Sequence, residues 1–438
     1  MKTGDLVATS CGTAVAAVCV LGLFHLQRTL GGAWAAAAVV LAGLVCATLA
    51  RAFGRLATIV PSGAGHLAYV SRAFGRRAGI ATAVPYLLLT LALVGAEAVV
   101  VGLVVARLTP LPVPAGALLF LVGTWAVCRA GLRVSYRAQA LATWTLLLGL
   151  GALALGPIAG AAWRGELGAR LLPPAPEPSA FVAGVGQALF LFMGFELIAC
   201  QVEIASPRAV RCALGVSVAI LTAFYGLLSL AFACLASGPD PHAAGFVPQL
   251  ALAEEAGGPA ALVLVALLSV LASFTSFNGA LLSLSRFAYA LAAQGALPRR
   301  LARVDATTLV PRAALDVLLG LAAGATVLVI AGDGLAASIL AAAVAAALMY
   351  AAAMLARERA PFAEPARGWA ARLGGAALAL ALAGLGIGVL MGAGAARGGV
   401  AALLVMAYGA AALAAHRAAR PARTAAPRLT AAVGAHGD

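Results

Sequence analysis

Charged side chains are scarce in this sequence. Only 10% of its 438 residues are Asp, Glu, Lys or Arg, whereas 63% are hydrophobic. Soluble globular domains carry about 25% charged residues, so the composition excludes that class. Apolar runs long enough to cross the roughly 30 Å hydrocarbon layer of a membrane recur along the whole chain. The composition therefore predicts an all-α integral membrane protein.

Residue patterns that build disulfides, metal sites or active sites are also missing. The seven cysteines are odd in number, form no C-x-x-C pair and lie in or beside apolar runs, which is typical of small buried residues. None of the five histidines has a second ligand at metal spacing. The sequence contains no G-x-S-x-G, P-loop or dinucleotide motif. We therefore expect neither an enzyme nor a bound cofactor or metal.

Twelve apolar runs predict twelve membrane spans. The fourth is short and flanked by proline, but the runs on either side require a crossing there. No cleavable signal peptide is recognisable, so the first span is expected to act as its own targeting signal. The Arg-, Pro- and Ala-rich segment 417–438 is predicted to be a disordered tail after one membrane domain over 1–416. The approximate spans are 7–24, 32–50, 79–106, 115–128, 138–161, 181–201, 212–236, 259–285, 313–331, 335–356, 371–392 and 399–416.

Basic residues are distributed unevenly between the two sides of these spans. The net charge is +14, and with a cytoplasmic N-terminus most Lys and Arg fall in cytoplasmic loops. The longest loop on the other side, about 237–258, contains no base and carries Asp240, Glu254 and Glu255. This is the positive-inside pattern of a protein in the cytoplasmic (inner) membrane with both termini in the cytoplasm. The basicity follows from topology, and no nucleic-acid partner is expected.

One carboxylate lies within an apolar run. Residues 181–200 read FVAGVGQALFLFMGFELIAC and are polar only at Gln187 and Glu196. An ionisable group at membrane depth costs about 2.5–3.5 kcal/mol on insertion scales, so Glu196 is expected to have a function. Gly194, two residues earlier, would let the helix unwind and direct backbone groups at a solute. The alternative is a glutamate that only bonds to a neighbouring helix.

A second deep carboxylate, Glu97, lies in LALVGAEAVVVG of the third span, and no deep base accompanies either one. Two such carboxylates fit a cationic substrate group or the carriage of a proton. Alternatively, Gly95, Ala98 and Gly102 form the small-residue face that is typical of tight helix packing. The spacing leaves open whether Glu97 and Glu196 meet.

Hydroxyl side chains recur at helical spacing in the eighth span. Ser273 and Ser276 would line a sodium site against the first helix, whereas the preferred interpretation is small-residue helix packing. The stripe comprises Ser269, Ser273, Ser276 and Ser283.

Three segments carry a family resemblance. They read PSGAGHLAY at 61–69, FMGFE at 192–196 followed by E-x-x-S-P-R at 203–208, and SRFAYALAAQGALP at 285–298. In this order the chain resembles permeases of the amino acid–polyamine–organocation (APC) superfamily. Their corresponding patterns are P-x-x-G-G-x-Y, F-x-G-F-E…E-x-x-N-P-R and S-R-x-x-Y-A-x-x-x-x-G-x-x-P. The resemblance extends from the first span to about residue 330.

The resemblance implies a secondary transporter of amino acids or related amines that works by alternating access. It implies inverted repeats of five spans, here 7–161 and 181–356, with broken first and sixth helices and two additional helices within 371–416. The fifth-span Lys that replaces sodium in several members is absent from this sequence. Coupling through Glu196 or Glu97 to a proton is therefore preferred to coupling to sodium.

The first helix departs from the family pattern. Members usually break it at G-x-G-I-F, and the best counterpart here is Val20-Leu21-Gly22-Leu23-Phe24. We expect Gly22 and Phe24 to flank the break, and a shifted alternative uses Gly12. Val20 in place of glycine weakens an anion-binding backbone nest, which favours amines or polyamines over α-amino acids.

A phenylalanine on the sixth helix is expected to close over the substrate, as the aromatic gate of the family does. Phe192 lies on the face of Glu196 if the helix persists, and Phe190 takes this role if the helix unwinds at Gly194. The predicted substrate-binding residues are Val20, Leu21, Gly22, Phe24, Phe190, Phe192, Gly194, Phe195 and Glu196. The alternatives are a polyamine or organic-cation permease or exchanger, and a non-transporting sensor or accessory subunit.

Overall fold

Long apolar helices build almost the whole chain. The computed structural model describes residues 2–202, 204–235, 247–305, 307–308, 310–332, 334–359, 362, 369–391 and 397–418, and no strand occurs among them. The predicted tail after Ala418, Glu203 and residues 237–246 of the predicted 237–258 loop lie outside the described residues. The α-helices are α1 (Thr3–Ala14), α2 (Ala17–Leu30), α3 (Gly32–Ile59), α4 (His66–Phe74), α5 (Arg76–Leu108), α6 (Val113–Arg129), α7 (Leu132–Trp163), α8 (Leu167–Leu171), α9 (Pro178–Phe190), α10 (Pro207–Cys234), α11 (Pro248–Ala293), α12 (Arg312–Gly332), α13 (Leu335–Arg357), α14 (Trp369–Met391) and α15 (Arg397–Ala418).

Each predicted apolar span coincides with a helix or helix pair. Within the described residues, nine helices are long and apolar enough to cross a membrane, or ten if the bent pair α1–α2 is one span. Helix α6 and the core of α14 are shorter apolar helices. The count of twelve crossings remains a prediction.

The first apolar segment is bent between α1 and α2 by 59°. Val15 and Ala16 separate the two helices and have extended backbone angles. The predicted break at Val20–Phe24 is wrong in position, because those residues lie inside α2. Gly12 is in the last turn of α1, where a Cβ would lie 2.5 Å from Gln139 Nε2. Close packing, rather than unwinding, therefore requires glycine at this position.

The sixth apolar segment is also discontinuous. Helix α9 ends at Phe190, residues 191–194 form a turn, and a 3₁₀ helix runs over Phe195–Gln201. Gly194 has φ +103°, a left-handed conformation that only glycine adopts readily. Regular α-helix is therefore interrupted next to Gly194, while the broken sixth helix of a transporter remains a prediction. A Cβ on Gly194 would lie 3.1 Å from Thr13, so the two discontinuities are in contact.

Helix α5 is the most enclosed of the candidate spans, and it packs against α4, α6, α11, α12, α13 and α15. Two glycines allow its close neighbours. A Cβ on Gly95 would lie 2.7 Å from Ala325 of α12, and one on Gly102 would lie 2.4 Å from the carbonyl oxygen of Val113. The small-residue face predicted for this helix therefore packs tightly, while Glu97 faces α2 and α11 through the hydrogen bonds described below.

Candidate functional site at two helix breaks

Glu196 is held by neutral hydrogen-bond donors at the second residue of the 3₁₀ helix. Its side chain is buried, and it accepts hydrogen bonds from the hydroxyls of Tyr86 in α5 and Tyr350 in α13, the latter at 2.8 Å. The N–H of Gly194 donates to the same carboxylate at 3.1 Å. These donors replace water around a group that is expensive to bury. Glu196 thus links the sixth-segment break to two other spans.

Glu97 is bound at the bend of the first segment. One carboxylate oxygen accepts from the N–H of Val18 at 3.0 Å, and the other accepts from the hydroxyl of Ser273 in α11 at 2.7 Å. Val18 lies in the first turn of α2, whose N-cap residue Ala16 has no side chain that can accept a hydrogen bond. The negative charge also lies near the positive end of the α2 dipole. Glu97 therefore caps α2 from another helix.

The two carboxylates lie at the same structural junction without sharing a donor. Glu97 binds α2 just after the bend, and Gly194, which donates to Glu196, packs against Thr13 just before it. Among the described residues, Arg286 is the one buried Lys or Arg, and it lies 13 residues after Ser273, towards the C-terminal end of α11. The junction therefore combines two carboxylates with uncharged donors and acceptors.

Backbone carbonyls at the breaks are occupied by hydroxyls of the protein. Ser10 donates to the carbonyl of Phe195 at 2.9 Å, and Tyr225 donates to the carbonyl of Ala14 at 2.9 Å. The Ala14 carbonyl also accepts from the thiol of Cys19 at 3.4 Å, so both of its lone pairs are engaged. This arrangement is closed, because the broken segments contact each other directly.

The three phenylalanines of the sixth segment have different surroundings. Phe192 is fully buried and packs edge-on against Tyr225 at 6.0 Å between ring centroids, and Phe195 is 6.4 Å from Tyr350. Phe190 is half-buried and lines a cavity of about 40 Å³ between α9, α13 and α14. Phe192 and Glu196 do not share a helical face, since α9 ends at Phe190 and Phe192 lies in the turn before the 3₁₀ helix that contains Glu196. The choice of gate remains a prediction.

The predicted residues of the first helix lie away from the break. Gly22 accepts through its carbonyl from Gln187 Nε2 at 3.5 Å, and Phe24 packs edge-on against Phe232 at 6.0 Å. Leu21 precedes Gly22 in the same helix and is half-buried. These residues contact α9 and α10, and the bend itself is formed by Val15 and Ala16.

Val20 lines a cavity of about 500 Å³ between α2, α7, α10 and α11, here named the Val20 cavity. Ala272 and Ser269 form part of its wall beside Ser273, and Gln249 lies farther out on α11. Gln249 is buried, and its Oε1 has no hydrogen-bond partner among the described residues. The remaining lining is largely apolar, as in many small-molecule sites.

The hydroxyls of the eighth span serve separate contacts. Ser269 donates to the carbonyl of Val265, Ser273 donates to Glu97, and Ser283 accepts from Gln201. Ser276 is buried one turn from Ser273. A sodium site at Ser273 and Ser276 therefore remains a prediction. In such a site the Ser273 hydroxyl would bind the ion through its oxygen and still donate its proton to Glu97.

A polar junction between α7 and α11 was not predicted from the sequence. Gln139 donates to the carbonyl of Thr275 at 2.9 Å and accepts from Asn278 at 2.7 Å, while Ser135 donates to Asn278 at 2.7 Å. Tyr86 and Tyr350 were missed as well. The sequence did contain a signal for these residues, because an amide or phenol side chain in an apolar run needs a buried hydrogen-bond partner.

The sequence matches the family model described as amino acid permease over residues 6–411. The chain belongs to the amino acid permease family. The resemblance to the APC superfamily is therefore confirmed, and the chain is a multi-pass membrane transporter. No curated protein matches the sequence of this permease.

Solved transporter structures share its fold. A mutant of the manganese transporter of Eremococcus coleocola superposes with a TM-score of 0.64 at 12% identity, over 95% of this chain and 93% of that one. A Na⁺-coupled sialic acid symporter in a substrate-bound outward-open state superposes with a TM-score of 0.59 at 12% identity, over 89% of this chain and 90% of that one. At this identity the likeness shows the fold alone. Within the described residues, no group of three or more His, Cys, Asp or Glu side chains could hold a metal ion.

Proposed function

We propose that this permease is a secondary active transporter that moves amino acids or related small amines across the cytoplasmic membrane, coupled to protons. The observation that carries the proposal is the buried Glu196 carboxylate at a helix discontinuity, held only by hydroxyl and amide donors. A carboxylate without a resident cation is a suitable partner for a substrate ammonium or a proton.

Glu196 and the carbonyls around Gly194 would receive the ammonium. A carboxylate accepts about four hydrogen bonds, and Glu196 accepts three, so one position remains for a substrate N–H. In the absence of substrate, a proton on Glu196 would neutralise the buried charge. Glu97 is the alternative proton carrier, and sodium at Ser273 and Ser276 is the alternative ion.

The transport movement would occur at the two discontinuities. The proposal includes twelve spans, inverted repeats over 7–161 and 181–356, and both termini in the cytoplasm. Val15 and Ala16 in the first repeat have extended backbone angles, and Leu191–Gly194 in the second form a turn, so the flanking half-helices would tilt about these points. Opening requires separation of Gly194 from Thr13 and of Ser10 from Phe195.

Uptake by the purified protein in liposomes tests the proposal. Labelled α-amino acids and their decarboxylated amines are offered with an imposed inward proton gradient, with a sodium gradient, or with neither. We expect accumulation with the proton gradient and a loss of at least about tenfold in Glu196→Gln, since a hydrogen bond to a charged group contributes about 1.5–3 kcal/mol. Glu166→Gln, which alters an exposed carboxylate paired with Arg170, is the matched control.

Three outcomes would contradict parts of the proposal. Accumulation driven only by sodium would exclude proton coupling. Full activity of Glu196→Gln would remove Glu196 from the site. Stabilisation by ligands without flux, with both gradients imposed, would favour the sensor or accessory subunit over a transporter.

A further inference from the structure

The end of α2 that could bind a ligand carboxylate already holds one from the protein. Helix α2 has 14 residues and begins at the bend, where its N-cap Ala16 offers no side-chain acceptor. The first amides of such a helix are an anion-binding position. The carboxylate of Glu97 fills it through Val18 at 3.0 Å.

Glu97 is anchored firmly in this position. Its side chain is 1% exposed, and its second oxygen is bound by Ser273 at 2.7 Å. Because it is tethered, Glu97 competes with a dissolved carboxylate at a high effective concentration. In its ionised form, Glu97 would also repel a ligand carboxylate, in surroundings where charge interactions are weakly screened.

The Val20 cavity provides independent evidence for the kind of ligand that fits here. Its wall includes Val20, two residues after Val18, and Ala272, which adjoins Ser273, so the cavity approaches both groups that hold Glu97. Gln249 is 7% exposed in this wall, and its carbonyl oxygen has no partner among the described residues. Gln249 is 24 residues from Ser273 along α11, so this unpaired acceptor favours a hydrogen-bond donor within the cavity and is not itself a contact at Glu97.

Basic side chains that could hold a ligand carboxylate are engaged elsewhere. Arg164 lines the Val20 cavity, but it pairs with Glu166 at 3.3 Å. Arg286 is 13 residues from Ser273 along α11, about 20 Å at 1.5 Å per residue. The groups near Glu97 therefore favour cations over anions.

We propose that Glu97 is a specificity-determining residue that takes the place of a substrate carboxylate, so that this permease selects amines that lack one. The inference rests on the proposed transport function and narrows its substrate class from amino acids or amines to carboxylate-free amines. Glu97 excludes the ligand carboxylate from the α2 amides, while Glu196 remains available for the ammonium.

Matched substrate pairs test this selectivity directly. Cadaverine with lysine, agmatine with arginine, and phenethylamine with phenylalanine differ within each pair only by the carboxylate. We expect the wild type to take up the amine at least about tenfold more efficiently than its amino acid, since the excluded contact is a charged hydrogen bond. Glu97→Ala should shift this ratio at least about tenfold towards the amino acid, because it frees the Val18 N–H and removes the repulsion.

Two variants separate the carboxylate from general damage to the junction. Glu97→Asp keeps the charge and should keep the preference for amines. Ser273→Ala removes one partner but leaves Glu97 on Val18, so it should also keep the preference. An unchanged ratio in folded Glu97→Ala, or a ratio altered equally by Ser273→Ala, would overturn the inference.

Acetate binding gives a readout that does not depend on transport. In Glu97→Ala, acetate should occupy the vacated position and raise the melting temperature in proportion to the logarithm of its concentration above Kd. Acetate should not stabilise the wild type or the control Glu254→Gln, whose exposed carboxylate pairs with Arg107. If Glu97→Ala does not fold, the ratio of amine to amino acid uptake by the wild type tests the inference by itself. Equal uptake of both pair members overturns this inference only, whereas uptake of neither overturns the proposed transport function as well.

Discussion

Replacement of Gly194 by alanine tests whether the two broken segments touch. Gly194 has φ +103°, and a Cβ built there would lie 3.1 Å from both the Cγ2 and the carbonyl oxygen of Thr13. The left-handed backbone should cost about 1–2 kcal/mol in an alanine. The close contact should add about 1–3 kcal/mol, because one of the two neighbouring atoms is backbone and cannot rotate away. We therefore expect Gly194→Ala to lower the free energy of unfolding by about 2–5 kcal/mol.

Two other glycines separate these contributions. Gly165 also has a positive φ, +71°, but a Cβ there would meet nothing within 4 Å, so Gly165→Ala should show only the backbone cost of about 1–2 kcal/mol. Gly156 lies in α7 with an ordinary backbone and open space, so Gly156→Ala should be neutral or stabilising by up to about 1 kcal/mol. From the most to the least stable variant, the expected order is Gly156→Ala, Gly165→Ala and Gly194→Ala.

The order can be measured by denaturant unfolding of the purified variants in one detergent, with transport measured in parallel. Adding Thr13→Ala to Gly194→Ala should recover only part of the loss, since the Thr13 carbonyl oxygen stays in place. Equal losses in Gly194→Ala and Gly165→Ala would refute the reasoning. They would mean that the two breaks are not in contact in the dominant state of the permease.

Two further substitutions test the surroundings of the site. Tyr350→Phe removes a donor from buried Glu196 and should lower the free energy of unfolding by about 1.5–3 kcal/mol, whereas Tyr69→Phe, whose buried hydroxyl has no partner among the described residues, should not lower it. Denaturant unfolding measures both, and equal losses would contradict the assigned hydrogen bond. His66 lies outside the candidate spans, and burial lowers its pKa from 6.5 to about 3. Its contribution to stability is therefore complete above pH 6.5 and decreases as the pH falls towards 3, so the wild type should lose about 1.4 kcal/mol between pH 7.5 and 5.5. Thermal unfolding at the two pH values should show that His66→Gln loses less stability than the wild type between pH 7.5 and 5.5. An identical pH dependence of the two proteins would refute this explanation.

The positions of the helices and the family could be predicted from the sequence. Hydropathy is a local property, because every residue in a span must be compatible with lipid or with a buried helix face. The predicted eighth span begins at Pro259, directly after Gly258, where α11 has a non-helical backbone. Gly194 was predicted as the point of unwinding for a similarly local reason, since only glycine adopts its left-handed conformation readily.

The first-helix break could not be located from the sequence. Two glycines, Gly12 and Gly22, fitted the motif, and spacing favoured Gly22. The structure places the bend at Val15–Ala16, where neither residue is a helix breaker. Contacts of Gly12 with Thr143 and Gln139 position α1, and the hydrogen bond from Val18 to Glu97 positions α2. These contacts join distant parts of the chain, so no local pattern records them.

The sequence by itself determined that two carboxylates would lie in apolar spans with no deep base beside them. Only the tertiary structure decided what each one binds. The donors to Glu97 lie 79 and 176 residues away along the chain, and the tyrosines that bind Glu196 lie 110 and 154 residues away. Burial requires that a charge find partners, but it does not specify which helix supplies them. Helix packing made that choice, because it brought one carboxylate to the amide end of α2 and the other to a pair of phenols.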